Sequence, residues 1–286
     1  MIETIYIARH GFRMNWVNNT WKSVTGLAKD PPLAAFGVTQ AQELADYFLG
    51  LPEDQRPTAI FSSPYYRCLQ TAQPVAKALG VPIFVEHGIS EWYSPAKPGT
   101  GLHPRPGSAA SLRTYFPEID PDAWASIWYP PRVGEDVAEV HTRAAGFLDA
   151  FVPAAEDRFA CGQNADAYSQ DAETAHTARR VLLVSHAATV IALTRALVGD
   201  PALPLRVGCC SLTEVVRKRD VIPICGGWEA KLLADGKHLK DGTSRDWGFE
   251  DIEIAHGKVV EDPGVPGTEH EKDDLVGPQV ALTSNL

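Results

Sequence analysis

The chain has 286 residues, of which 44% are hydrophobic and 22% charged, so it can bury a large core as one globular domain. Its formal net charge of −10 argues against a direct nucleic-acid-binding surface, because such a surface neutralises phosphates with many cations. No apolar run is long enough to span a bilayer, and no signal peptide or cysteine framework is recognisable. These features predict a cytoplasmic or nuclear protein with reduced thiols and no membrane partner.

The first predicted element is a strand over residues 4–7, which leads into an Ala-Arg-His-Gly tetrapeptide at residues 8–11. In open α/β sheets, ligands bind beyond the carboxyl ends of the strands, and His10 follows such an end. The neighbouring Arg9 favours an anionic ligand, since a guanidinium binds oxyanions with paired hydrogen bonds.

A helix follows in the predicted order of elements. Thr39 and Gln42 have the spacing of a capping box, which predicts a helix that opens there and runs to about Leu49. A short strand over residues 58–60 comes next.

Two candidate site residues follow the next predicted strands. Pro64 suits the first position of a helix, so Arg67 should lie one turn into a helix that begins near Pro64. A strand over residues 83–85 precedes the loop that carries Glu91.

The second half of the chain repeats the pattern. A helix is predicted from Glu135 to about residue 155, and the polar residues 157–179 form an insertion that we expect to be a flexible loop. The apolar strand 181–184 leads to His186, and a helix follows over residues 189–197.

Further strands are predicted over residues 211–216, 228–235 and 251–254. Residues 261–286 are rich in Pro, Gly and charge, which predicts a disordered tail after a domain that spans residues 1–260. The alternation of strands and helices predicts an α/β fold. We expect a doubly wound, mostly parallel sheet with helices on both faces and extra C-terminal strands.

The motif segments resemble the histidine phosphatase superfamily, the phosphoglycerate mutase-like group with an Arg-His-Gly motif. The likeness runs from about residue 2 to residue 253. It is greatest to the phosphatase-like domain of the fungal transcription factor IIIC subunit and its stand-alone relatives. Three segments carry that likeness: residues 5–16, 63–69 and 91–93.

The resemblance implies a phosphoglycerate mutase-like fold and a role for each matching residue. His10 matches the nucleophile, which would become a phosphohistidine. Arg9 and Arg67 match the phosphate-binding arginines. His186 matches the second catalytic and phosphate-binding histidine, and Glu91 the proton donor.

The residue types fit phosphoryl transfer independently of the resemblance. The transferred group spreads negative charge over its oxygens, so fixed guanidinium groups stabilise it, and a neutral imidazole can attack phosphorus. A carboxylic acid protonates the leaving oxygen, and neither a metal nor another cofactor is required. Two assignments stay open: Glu86 is a second candidate for the acid, and Arg13 is either a further phosphate ligand or a rim residue.

The substrate is predicted from aromatic residues in the predicted loops. Trp16, Trp92 and Tyr93 suggest an aromatic-walled mouth suited to an aryl phosphate such as phosphotyrosine, on a small molecule or a phosphoprotein. Four further aromatic residues in predicted loops could contribute to that mouth, and we expect about half of these aromatic residues to pack in the core: Trp21, Trp124, Trp128 and Tyr129. The alternative is a weakly active binding module that assembles with transcription factor IIIC subunits. We expect no room in this chain for the extra assembly domain of that subunit, an expectation that favours a stand-alone enzyme.

Overall fold

The computed structural model of the protein describes residues 1–160, 180–219, 221, 223–255 and 258–279. The strands are β1 (Thr4–Arg9), β2 (Ala59–Ser62), β3 (Ile83–Val85), β4 (Trp128–Tyr129), β5 (Arg180–Ser185), β6 (Leu212–Arg217), β7 (Trp228–Asp235), β8 (Ile254–Ala255), β9 (Lys258–Val259) and β10 (Gly277–Pro278). The helices are α1 (Ala35–Gly50), α2 (Tyr66–Leu79), α3 (Ala109–Leu112), α4 (Val137–Ala160) and α5 (Ala187–Val198). Within these described ranges, no helix is both long and apolar enough to cross a membrane.

Six strands form the central sheet, in the order β3-β2-β5-β1-β6-β7. The first four pair in parallel, whereas β6 pairs antiparallel with β1, and β7 pairs antiparallel with β6. The predicted α/β fold with a mostly parallel sheet and added C-terminal strands is confirmed.

Helices cover both faces of the sheet, and the alternation of side chains along β1 shows how. Ile5 and Ile7 belong to a core cluster with α4 and α5, whereas Tyr6 and Ala8 belong to a second cluster with α1 and α2. Successive residues of a strand point to opposite faces, so a continuous apolar run is buried on both sides. This double cover fixes the sheet rigidly beneath the loops at its carboxyl edge.

Helices α1 and α2 cover the same face of the sheet, and contacts with distant segments determine where each of them begins. The predicted capping box is wrong: α1 begins at Ala35, and the Thr39 hydroxyl donates to the Ala35 carbonyl inside the helix. Gly37 explains the earlier start, since a Cβ there would lie 2.2 Å from the carbonyl oxygen of Phe12. This close approach of backbone seats the first turn of α1 against the loop after β1.

The start of α2 also differs from the prediction. Pro64 precedes the helix, which begins at Tyr66. The carboxylate of Asp30, 36 residues earlier in the chain, accepts the Tyr66 amide hydrogen at 3.0 and 3.2 Å. An oxygen acceptor at this end satisfies a backbone donor that the helix itself leaves unpaired.

Among the later elements, some match their predicted bounds and others do not. Helix α4 extends to Ala160, and the remainder of the predicted insertion, residues 161–179, lies outside the described residues. The predicted strand 251–254 is wrong, since a 3-10 turn occupies Phe249–Asp251 and β8 begins only at Ile254. Strand β7 matches its predicted bounds.

The segment after β9 lies along the domain. Asp262 forms a parallel bridge with Ala96, and β10 pairs with β4. Arg105 binds Asp273 through an ion pair of 2.9 Å. The described part of the tail therefore makes regular contacts, whereas its composition predicts disorder. Residues 280–286 lie outside the described residues, and the domain boundary at 260 stays a prediction.

Candidate active site

The carboxyl ends of three neighbouring parallel strands meet at one place. The amide of His10 donates to the Ser185 carbonyl at 2.9 Å, and the amide of Ser63 donates to the Val184 carbonyl at 2.9 Å. These bonds continue the sheet register by one residue beyond β1 and β2. As a result His10 and His186 lie side by side, with ring centroids 5.4 Å apart.

The ring of His10 has a defined tautomer. It is 1% exposed, and its Nδ1 lies 2.7 Å from the carbonyl oxygen of Gly11. A carbonyl can only accept, so Nδ1 carries the hydrogen. Burial, together with the charges of Arg67 and His186, lowers the pKa of His10 well below its usual value. At neutral pH the ring is uncharged, and none of the described residues forms a hydrogen bond with its Nε2.

Arg67 contacts three other polar residues of the site. Its Nη1 donates to Asp30 Oδ1 at 3.1 Å, and its Nη2 donates to Glu91 Oε2 at 3.0 Å. The same Nη2 lies 3.1 Å from His186 Nδ1. Asp30 is 1% exposed and therefore holds one edge of the guanidinium in a fixed position while the other edge faces the histidines.

His186 is a neutral ring at physiological pH. Burial lowers its pKa to about 4, with Glu91 opposing that shift and Arg67 reinforcing it. Its Nε2 lies 2.8 Å from the Ser63 hydroxyl, and its Nδ1 lies 3.3 Å from Glu91 Oε2. Both ring nitrogens therefore have a polar partner in the protein.

Glu91, and not Glu86, lies in the site. The Glu91 side chain is 19% exposed and lines the same cavity as His10. Burial favours a higher pKa for Glu91, but its contact with His186, which is charged in the acid range where Glu91 titrates, and the charge of Arg67 prevail and hold that pKa well below the usual range. The Glu86 carboxylate is fully buried elsewhere and accepts hydrogen bonds from three backbone amides and the Trp124 indole. Glu86 therefore fixes a loop.

Two further arginines complete the cationic wall. Arg9 Nη1 donates to the carbonyls of Val207 and Arg245 at 2.7 and 2.5 Å. Arg13 lines the cavity, and burial together with Arg67 lowers its pKa to about 10. Its guanidinium carbon lies 4.2 Å from the centroid of the Trp16 ring, a cation–π contact that fixes its direction.

These groups open into a cavity of about 420 Å³. Residues from several loops line it: Arg9, His10, Arg13, Asn15, Trp21, Lys29, Pro31, Arg67, Glu91, Trp92, Tyr93, Ala187, Ala188, Trp247 and Asp262. His186 is fully buried beneath that wall and reaches the site through its bonds to Arg67 and Glu91.

The predicted aromatic mouth is only partly what the structure shows. Trp92, Tyr93 and Trp21 line the cavity, whereas Trp16 is absent from its described lining and packs against Arg13. Three of the aromatic residues expected in loops lie away from the cavity: Trp124 packs in the core, Trp128 packs against that core, and Tyr129 stacks on His87.

Sequence reasoning missed several residues of the site. Asp30, Lys29, Trp247 and Asp262 reach it from segments that carry no recognisable motif. Only the Asp-Pro-Pro turn that begins at Asp30 offered a local signal, and it indicates a turn without naming the partner of its carboxylate.

Three side chains could also converge on a metal ion. The ligand atoms of His10, Glu91 and His186 lie within 4.8 Å of one another. The Arg67 guanidinium, however, lies within 3.1 Å of ligand atoms of both Glu91 and His186 and opposes a second cation there. The charge distribution favours an anion.

Fold and site together define an α/β protein of phosphoglycerate mutase-like architecture with paired histidines at the carboxyl edge of its sheet. The family model of the histidine phosphatase superfamily (branch 1) matches residues 5–224. The chain belongs to this superfamily.

Relatives of known sequence include the transcription factor tau 55 kDa subunit of Saccharomyces cerevisiae. It is 34% identical over 278 residues, which cover 87% of this chain and 59% of the yeast subunit. The mouse ubiquitin-associated and SH3 domain-containing protein A is 40% identical over 67 residues, 22% of this chain and 10% of that protein. The chain thus spans less than two thirds of the length of these relatives.

Solved structures show the same fold. The ecdysone phosphate phosphatase of Bombyx mori, in complex with tungstate, has a TM-score of 0.59 at 18% identity, covering 81% of this chain and 93% of that one. A mycobacterial hydrolase has a TM-score of 0.50 at 21% identity, covering 81% and 98%.

Proposed function

We propose that the protein is a metal-independent phosphomonoester hydrolase that acts through a phosphohistidine at His10. The observation that carries the proposal is the state of the His10 ring. Its Nδ1 hydrogen is donated to the Gly11 carbonyl, its pKa is lowered, and the residue lines a cavity that is also lined by Arg9, Arg13 and Arg67. A neutral imidazole beside fixed cations suits attack on a bound phosphate.

In the first step, Arg9 and Arg67 hold the phosphate oxygens, with Arg13 as a further ligand, and the ring of His186 supports Arg67 and Glu91 from beneath. His10 Nε2 attacks phosphorus, and the bond from phosphorus to the ester oxygen breaks. Glu91 gives its proton to that departing oxygen, so the leaving group departs as an alcohol or phenol. In the second step, water attacks the phosphohistidine, Glu91 takes the proton of that water, and His10 is released with inorganic phosphate.

The acid role requires that Glu91 be protonated when substrate is bound. In the free protein its pKa is depressed by the neighbouring positive charge. A bound phosphate dianion brings negative charge to the same place and engages Arg67, so it raises the pKa of Glu91. Once its pKa is raised, Glu91 takes up a proton from solvent and can pass that proton to the leaving oxygen.

The cavity supports an aryl phosphate as substrate. Trp21, Trp92, Tyr93 and Trp247 line it beyond the phosphate-binding residues, and flat apolar walls suit an aromatic leaving group such as that of phosphotyrosine. The backbone anchors of Arg9 hold the phosphate end in place while the ring occupies the outer cavity.

The test is to trap the covalent intermediate. Brief incubation with a ³²P-labelled aryl phosphate, followed by denaturation, should leave acid-labile label on His10. His10→Asn, which keeps the size and polarity of the side chain, should abolish both the label and turnover. His270→Asn serves as a control, because His270 is exposed and outside the described cavity lining. Turnover that persists in folded His10→Asn would reject the mechanism.

A second function is favoured by the yeast relative, which is a transcription factor subunit. In this alternative the chain is a weakly active binding module in a transcription factor IIIC-type assembly, with a nuclear location. Purified chain would then bind purified subunits of that factor stoichiometrically, and His10→Asn would leave the affinity unchanged. Absence of turnover and of oxyanion binding, together with such an assembly, would select this alternative over the enzyme.

A further inference from the structure

The outer wall of the cavity is built by a part of the chain that the family model does not match. That match ends at residue 224, yet Trp247 and Asp262 line the same cavity as His10. Trp247 packs on Trp92, with ring centroids 6.2 Å apart, and on Phe249 at 5.2 Å. This wall of the cavity therefore lies outside the part of the chain that the superfamily model matches.

Asp262 belongs to a segment that we call the C-terminal strap, residues 262–273. Two backbone hydrogen bonds hold the strap at Asp262. The Asp262 carbonyl accepts from the Lys97 amide at 2.9 Å, and the Asp262 amide donates to the Pro95 carbonyl at 3.2 Å. Lys29 Nζ donates to the Pro263 carbonyl at 2.6 Å. The backbone of Asp262 is thereby fixed beside the loop that follows Glu91.

Glycine makes this docking possible further along the strap. A Cβ at Gly264 would lie 2.1 Å from the Gly101 carbonyl oxygen, so the two backbones touch. The Gly264 amide donates to the Thr100 hydroxyl at 2.8 Å. The strap is thus packed against the domain, and this packing fixes the backbone position from which the Asp262 side chain extends.

The charge of Asp262 differs in sign from the charges at the phosphate end. Its carboxylate accepts no hydrogen bond from the described residues, and the residue is exposed, whereas Arg9 and Arg67 are buried. Lys29 is the nearby counter-charge: its ammonium donates to the Pro263 carbonyl, lies 5.3 Å from the Tyr93 ring and keeps its positive charge. The cavity therefore has guanidinium groups at its base, whereas its exposed side carries the Asp262 carboxylate, which accepts no hydrogen bond from the described residues, beside the Lys29 ammonium.

We propose that Asp262 is a specificity-determining residue of this site. It selects phosphomonoesters whose leaving group carries an ammonium or another hydrogen-bond donor at its far end, and it disfavours those that carry a carboxylate there. This inference rests on the proposed function. The physical basis is the charge of the Asp262 carboxylate. A partly exposed ion pair between this carboxylate and a substrate ammonium stabilises the complex modestly, and a substrate carboxylate at the same place destabilises it by a similar amount.

The experiment compares two aryl phosphates that differ only at the end of the arm. Tyramine O-phosphate has an ammonium, and 3-(4-phosphonooxyphenyl)propanoate has a carboxylate, on the same phenyl leaving group and two-carbon spacer. The wild-type chain should prefer the ammonium compound in kcat/KM by roughly three- to tenfold at low salt, less at high salt. Asp262→Asn should remove most of that preference.

Glu261→Gln is the matched control, because it removes the same charge from an adjacent exposed residue outside the described cavity lining. It should leave the preference within twofold of wild type. An unchanged preference in Asp262→Asn, or an equal change in Glu261→Gln, would overturn the inference and leave the hydrolase proposal standing.

If neither compound nor p-nitrophenyl phosphate is hydrolysed, the hydrolase proposal fails, and the two phosphates then serve as stable ligands. Calorimetric dissociation constants would show the same preference, and its loss in Asp262→Asn, if the inference holds. Equal affinities, or no binding of either compound, would overturn it.

Discussion

The buried ring of His186 makes the stability of the protein depend on pH in a defined window. Burial lowers the pKa of His186 to about 4, whereas a histidine in the unfolded chain titrates near 6.5. Between these values the unfolded chain binds a proton that the folded protein does not, so the free energy of unfolding falls as the pH falls. The contribution is complete above pH 6.5. With about 1.4 kcal/mol for each pH unit, acidification from pH 7 to pH 5 should cost about 2 kcal/mol at this residue.

The assay is urea unfolding of the wild type and of His186→Asn at pH 7, 6 and 5, followed by tryptophan fluorescence. The stability of the wild type relative to the variant should fall by about 2 kcal/mol over this range. Glu86 and His87 also have shifted pKa values, about 7 and about 4, but they are present in both proteins and largely cancel in the difference. His270→Asn, at an exposed position, should give a constant difference. A difference for His186→Asn that stays constant within about 0.5 kcal/mol would refute the reasoning.

Three other predictions concern the proposed chemistry. Glu91→Gln should slow alkyl phosphates by about 100- to 10,000-fold in kcat and p-nitrophenyl phosphate far less, whereas Arg67→Ala should slow both; equal losses in the Glu91 variant would move the acid role elsewhere. Asp30→Asn should lower the free energy of unfolding by about 2 kcal/mol, less than full loss of a buried ion pair because Asn keeps one acceptor. It should also lower kcat/KM, and a double-mutant cycle should show that the kcat/KM loss disappears when Arg67 is already Met. Turnover should survive EDTA and be inhibited competitively by vanadate or tungstate; loss in EDTA that added metal restores would contradict the proposal.

The sequence predicts the centre of the fold because that centre obeys local rules. Strands buried on both faces are continuous apolar runs, and the residue after each run lies at the carboxyl edge of the sheet. His10 and His186 follow such runs directly, so their meeting depends only on β1 and β5 being neighbours. The parallel pairing of Ile5 with Val181 shows that they are.

The parts that could not be predicted depend on contacts between distant segments. Asp30 caps α2 and holds Arg67 across 37 residues, and no local pattern announces a tertiary cap. Trp247 and Asp262 reach the cavity only because later segments return along the domain. The predicted start of α1 was wrong for the same reason. The close packing of Gly37 on Phe12 overrides a capping pattern that is locally plausible.

The arrangement of donors bears on whether the site is more than a scaffold. Arg9, Arg13 and Arg67 each have a buried Nε without an acceptor among the described residues. A buried donor without an acceptor destabilises the folded protein, and three guanidinium groups near one another repel. Asp30 and Glu91 neutralise only part of that charge. A surface used only for assembly gains nothing from this cost, whereas a bound phosphate supplies both the missing oxygens and the missing negative charge. The energetics of the free protein therefore favour a site built for an oxyanion, whichever partners the rest of the surface binds.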